Sequence, residues 1–183
     1  MKRIILLSLL LTLLYAGYGQ GYVTKTGYIR FYSDSPLEKI EAINRSVNAA
    51  LDAGTGDFVF RVLMKSFVFE KALMQEHFNE NYVESDKYPN ATFLGKVTNI
   101  SEVNFTKDGI YPVTVNGKLT IHGVTNQVSV KGTLEVKNSN VGGKATFTIA
   151  LADYKINIPA AVVNNIASVI EITVDIPLEK FVK

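Results

Sequence analysis

No cysteine occurs among the 183 residues. That absence removes a disulfide framework, a thiolate nucleophile and a lipid-modified N-terminal cysteine. Histidine is nearly as scarce, with only His77 and His122. A nucleophilic hydrolase needs a base held beside its serine or threonine, and no G-x-S-x-G signature stands ready to supply one. A glycine-rich phosphate loop, a basic cluster and an internal repeat are missing too. Glu76, His77 and Glu80 lie close along a helical stretch, and His77 with Glu80 at i, i+3 suits a shared metal. Such a pair reads first as a solvated face. The residues therefore assign no catalytic group, metal or cofactor. Asn44, Asn90, Asn99 and Asn104 open N-x-S/T triplets, too common to carry weight.

Only one long apolar run is present. Ile4 to Leu14, interrupted by Ser8 and Thr12, follows the basic pair Lys2–Arg3 and precedes Gly17 and Gly19. A membrane-crossing helix needs roughly 20 apolar residues. This run is shorter and has the layout of a cleaved secretory leader over residues 1–19, with Gln20 as the new N-terminus. The expected location is periplasmic or secreted, with no stable membrane anchor after cleavage. Residues 20–183 then number 164, one domain that buries roughly 68–70% of its unfolded surface. Of 19 basic and 17 acidic side chains, Lys2 and Arg3 leave with the leader. The balance is neutral, with no bulk drive toward nucleic acid or an anionic membrane.

What is present is mostly strand. Val113, Val115, Gly117, Leu119 and Ile121 alternate with polar neighbours, as do Val128, Val130, Gly132, Leu134 and Val136. Ala145 to Leu151 and Ile170 to Ile176 continue the pattern, which belongs to an antiparallel sheet with one buried side. Gly27–Ser33 and Phe58–Val62 add strands, and a phase change near Lys65 and Ser66 marks a bulge or bend. Alternation gives way to a helical pattern between Phe67 and Phe93, where Leu73, Met74, His77, Phe78 and Tyr82 share one face. A short capping helix over 71–83 follows, with a second short helix near 160–167 after Pro159. Ile40, Ile43, Val47, Ala50 and Leu51 fit a helix face, although the Ala53–Gly56 turn behind them favours a hairpin arm.

About eight antiparallel strands with short turns suit a closed barrel or a sandwich. Gly117, Gly132 and Gly95 fall on the inward register, where glycine permits kinks and also leaves interior volume. An eight-stranded barrel can hold one small ligand. Its walls would be apolar, so the natural cargo is an apolar chain. Ten buried methylenes supply about 8 kcal/mol at roughly 0.8 each, against about 4–15 kcal/mol lost on association. A long chain is therefore needed. Met74, Phe78 and Tyr82 would gate the mouth beside His77, with Phe93, Val113, Val115, Leu119, Val130, Leu134, Phe147 and Ile172 lining the tunnel. Two other classes stay open. One is a cyclase- or isomerase-type enzyme using Glu76, His77, Tyr82, Tyr88 or His122 in the same tunnel. The other is a structural envelope protein without ligand, and a homodimer suits any of the three.

The run Tyr88-Pro89-Asn90-Ala91-Thr92-Phe93 and the run Gly117-Lys118-Leu119-Thr120-Ile121-His122-Gly123-Val124-Thr125 resemble the YceI-like family. Its elements include K-Y-P-x-x-x-F at a strand start and L-T-I-H-G-V-T at a strand end. The Met74-x-x-His77-Phe78 helix is also similar. The resemblance implies an all-β fold, an eight-stranded antiparallel lipocalin-like barrel, secreted or periplasmic. It also implies a long isoprenoid or similar amphiphilic lipid held in the tunnel. It makes Glu38–Asp52 a strand, and gives His122 a place in the turn or facing a head group. The chain departs from the family near its start, where IEAINRSVNAALD (Ile40 to Asp52) lacks the usual histidine-bearing strand and G-x-F pair.

Overall fold

The computed structural model describes residues 20–181, so the leader expected over 1–19 lies outside the described residues. The strands are β1 (Gly21–Asp34), β2 (Lys39–Asp52), β3 (Asp57–Leu63), β4 (Val68–Phe69), β5 (Asn90–Val97), β6 (Gly109–Ile121), β7 (Val124–Lys137), β8 (Asn140–Ala150) and β9 (Val169–Phe181). One short helix, α1 (Ala72–His77), runs into a π-type turn over Phe78–Tyr82. Every strand pair is antiparallel. The order β1-β9-β8-β7-β6-β5-β3-β2 closes on itself through β1 against β2, making an eight-stranded barrel, while β4 only adds to the start of β2.

The helix-like spacing in Ile40–Leu51 has a local cause. Ala42 and Asn44 point inward, Arg45 and Ser46 are both exposed, and Val47, Ala49 and Leu51 point inward again. This is a bulge that shifts the phase of the strand by one residue. Asn44 is fully buried and holds the kink, donating to the Leu63 carbonyl at 2.9 Å and accepting from the Ser46 N–H at 2.8 Å. That burial also takes Asn44 out of any use as a surface glycosylation site. The phase change near Lys65 is a single 3-10 turn, Met64–Ser66, after which Phe67 and Phe69 return to the interior. The second helix expected near 160–167 contracts to one 3-10 turn, Ala160–Val162. With Ala160 and Ala161 at its start and no buried residue, it has no apolar face to pack.

The core falls into two clusters at opposite ends. At the closed end Tyr22, Leu51, Val97, Val136, Val141 and Leu178 fill the barrel, with the Tyr22 ring stacked on Phe105 at 5.5 Å. At the capped end Ile29, Val47, Val62, Phe67, Phe69 and Ile156 form a wider ring. The inward glycines do not leave empty space. A Cβ on Gly95 or Gly117 would collide with the Phe93 ring, which lies across both residues, and with backbone on the paired strand. Gly117→Ala should therefore cost about 1–3 kcal/mol by overpacking, read as a lower urea midpoint with unchanged slope.

Burial also pushes the Tyr22 and Tyr154 hydroxyls above their ordinary value. The folded state then keeps protons that the unfolded chain gives up above about pH 10. This contribution is complete below that pH and is lost as pH rises through the folded values. In the double variant Tyr22→Phe, Tyr154→Phe the alkaline unfolding midpoint, followed by circular dichroism, should move upward.

Candidate functional site: an apolar cavity under a tethered cap

The barrel flares toward its capped end because one seam parts. β7 and β8 pair only over Gly132–Lys137 with Asn140–Ala145. Beyond that point Val124–Lys131 pairs with β6 alone and Thr146–Ala150 with β9 alone. Side chains that fill the narrow end cannot meet across the wider one. The result is a cavity of about 600 Å³. It runs from the cap (Met74, Phe78, Tyr82) past Phe147 and Ile172 down to Val113 and Leu134, where the closed-end cluster seals it.

One side of the opening is aromatic. Phe78 reaches down from the cap onto Phe31, Phe67 and Phe69, with ring centroids 5.0–5.6 Å apart. This contact and the buried Val83 are the apolar holds on the cap, because α1 buries none of its own residues fully. Close by lies a small polar rim. Glu38 accepts from Lys71 at 3.0 Å and from the Asn165 amide at 3.4 Å. The Lys71 hydrogen bond, helped by Asn165, holds the Glu38 carboxyl below the usual carboxylate range. Glu38, Lys71 and Asn165 all border the cavity. One carboxylate thus links the β1–β2 turn, the start of the cap and the loop before β9.

The far end of the cap is tied separately. His122 and Gly123 both take positive φ in the two-residue β6–β7 turn, the geometry of a type I′ hairpin. The turn presents the His122 ring to two acceptors. Nε2 lies 2.6 Å from the Glu84 carboxylate and Nδ1 lies 3.1 Å from the Tyr154 carbonyl. Tyr88 packs edge-on against the same ring at 4.8 Å. A Cβ on Gly123 would meet the Tyr88 ring at 2.5 Å. The two sequence motifs are therefore halves of one contact, Tyr88 from the first against His122-Gly123 from the second.

Twelve of the residues picked from the sequence sit in the cavity wall: Met74, His77, Phe78, Tyr82, Phe93, Val113, Val115, Leu119, Val130, Leu134, Phe147 and Ile172. His122 does not border the cavity; its ring is taken up by Glu84 and Tyr154 in the turn. His77 lies on the rim, where its Nδ1 accepts from the Asn81 amide at 3.0 Å. The two histidines and Tyr88, named for a catalytic reading, are thus not gathered at one point of the wall. Sequence reasoning missed the polar rim, because Glu38 finds Asn165 across 127 positions of chain. It also missed Ile29 and Phe31, although their strand was read from its alternation, and Ile40 of β2, whose strand pattern the bulge disguises.

A closed antiparallel barrel with a capped apolar cavity defines the class. The YceI-like domain model matches residues 25–178, and the chain belongs to that family. Solved structures agree on the fold. A polyisoprenoid binding domain from Saccharophagus degradans, implicated in plant cell wall breakdown, is similar at 14% identity and a TM-score of 0.78, over 89% of this chain and 99% of that one. Burkholderia cenocepacia BcnA is similar at 16% identity and a TM-score of 0.67, over 84% of this chain and 96% of that one. A Campylobacter jejuni YceI protein gives 15% and 0.51, over 75% and 81%. No curated protein matches the chain.

The turn contact has a measurable consequence. His122→Phe keeps an aromatic ring against Tyr88 but loses both polar bonds, leaving acceptors without partners. Hydrogen exchange should quicken at residues 84–88 and 151–156 while β6 to β9 stay protected. A uniform change across the barrel, or none, would contradict the tether.

Proposed function

We propose that the chain is a carrier or store for a long apolar chain, an isoprenoid or similar amphiphilic lipid held inside the barrel. The cavity carries the proposal. An empty apolar cavity of about 600 Å³ costs its lining side chains the dispersion contacts that a filled one would give. Water is a poor substitute, because an ordered water needs two to four polar partners and below the rim this wall is mostly Val, Ile, Leu, Met and Phe. An apolar chain removes that cost. The volume also falls within the roughly 300–1,000 Å³ typical of ligand sites. The Saccharophagus degradans domain, described as polyisoprenoid binding, supports the same choice of cargo.

The lipid's polar end belongs at the rim, where Lys71 and Asn165 donate and Glu38 accepts. Secretion is part of the proposal and rests on the basic start, the apolar run and the two small residues before Gln20. Mature protein from the periplasm or medium should begin at Gln20 by N-terminal sequencing.

Native mass spectrometry of protein released gently from its host tests the cargo. A bound species that organic extraction yields as a long-chain lipid is expected. In Ala145→Phe, Val130→Phe, two new rings enter the cavity, and lipid occupancy should fall at least tenfold while the circular dichroism spectrum stays β. Undiminished occupancy, or a wild-type protein with no adduct, would overturn the proposal.

A further inference from the structure

The rim of the mouth is greasy on its outer side as well as its inner side. Leu37 in the β1–β2 turn is 71% exposed, Leu73 on α1 61% and Val163 after the 3-10 turn 56%. These three residues come from separate segments, yet they are drawn to one place. The Leu37 N–H donates to the Asn164 carbonyl at 3.1 Å. Glu38, next to Leu37, holds both Lys71 and Asn165, next-but-one to Leu73 and Val163 respectively. Three apolar tips thus stand beside the cavity mouth, and the apolar lining runs out to them through Leu73, Val162 and Ile166.

We propose that this rim is a docking surface for a lipid bilayer, the tips dipping into its interfacial layer so that cargo passes between membrane and cavity without crossing water. The inference rests on the carrier reading and adds the place where exchange occurs. The geometry favours a bilayer over a protein. Three side chains beside an opening make a small patch against the roughly 1,000 Å² that a specific protein interface needs. A rigid partner would also have to fill the opening, whereas a fluid layer offers acyl chains that can enter it. Charge plays no part. Lys71 is paired with Glu38, and Lys39 with Asp34, so the rim presents no cluster of unpaired cations to attract acidic headgroups. Insertion of apolar side chains is the remaining drive.

The test is flotation of the mature protein with phosphatidylcholine vesicles at 0.05 M and 0.5 M NaCl. The wild-type protein should rise with the vesicles equally at both salt levels. The triple variant Leu37→Asp, Leu73→Asp, Val163→Asp should lose at least tenfold in bound fraction. Ile110→Asp, an exposed apolar residue at the start of β6 at the opposite end, should float like the wild type. Three outcomes overturn the proposal: no flotation of the wild type, equal flotation of the triple variant, or release by 0.5 M salt. A fourth is a wild-type dimer in light scattering that the triple variant turns into a monomer, since the rim would then be a self-interface. Flotation and native mass spectrometry of the double variant Leu37→Asp, Val163→Asp, neither residue being in the cavity wall, separate the two readings. Cargo retained without vesicle binding leaves the carrier standing and locates the exchange surface, while cargo absent from the wild type itself overturns the carrier.

Discussion

Closure of the sheet on itself is the constraint from which the other features follow. β1 pairs along its length with β2 on one side and with β9 on the other, so the eight strands close into a ring, although the β7–β8 seam leaves Val124–Lys131 and Thr146–Ala150 paired on one side alone. Once the ring is closed, the inward side chains must fill whatever width the strands impose. At the narrow end they succeed, and Tyr22, Leu51, Val97 and Leu178 are almost wholly shielded. At the other end the β7–β8 seam parts, the ring widens, and Val, Leu and Phe side chains of the same size no longer touch across it. The cavity is a consequence of geometry acting on ordinary core residues.

An open wide end needs a cover, and the cover is held lightly. Residues 71–84 are fixed at the two ends by polar bonds, Lys71 to Glu38 and Glu84 to His122, and in the middle by Phe78 against three phenylalanines. An exposed ion pair such as Lys71–Glu38 is screened by water and holds only weakly. A segment with few buried contacts opens at lower free energy than the barrel beneath it. The same arrangement that completes the wall can therefore lift from it, while the closed-end cluster keeps the barrel intact.

Alternation in β6 to β9 was plain in the sequence because those strands bury one face without interruption. The cap was legible too, since Met74, Phe78 and Tyr82 recur at helical spacing and all three face the cavity. Ile40–Asp52 misled, because a one-residue bulge at Arg45-Ser46 imposes spacings of three and four on a strand. The family resemblance corrected that where periodicity did not. The inward glycines are the subtler case. Their register was readable, but the space at Gly95 and its ladder partner Gly117 is taken by the Phe93 ring, and that at Gly132 by Lys144 and Ala145.

The chain alone determined antiparallel strands with a short cap, because binary pattern and turn residues are local properties; they leave barrel or sandwich open, and the family motifs pointed to the barrel. It also determined the greasy character of the interior. Tertiary structure decided where that interior is solid and where hollow, since the parting of one seam depends on how all eight strands close. It alone brought Glu38, Lys71 and Asn165 to one rim and joined His122 to Glu84 and Tyr154. Those groups are separated by 32 to 127 positions along the chain, and only the closed ring brings them within hydrogen-bonding reach.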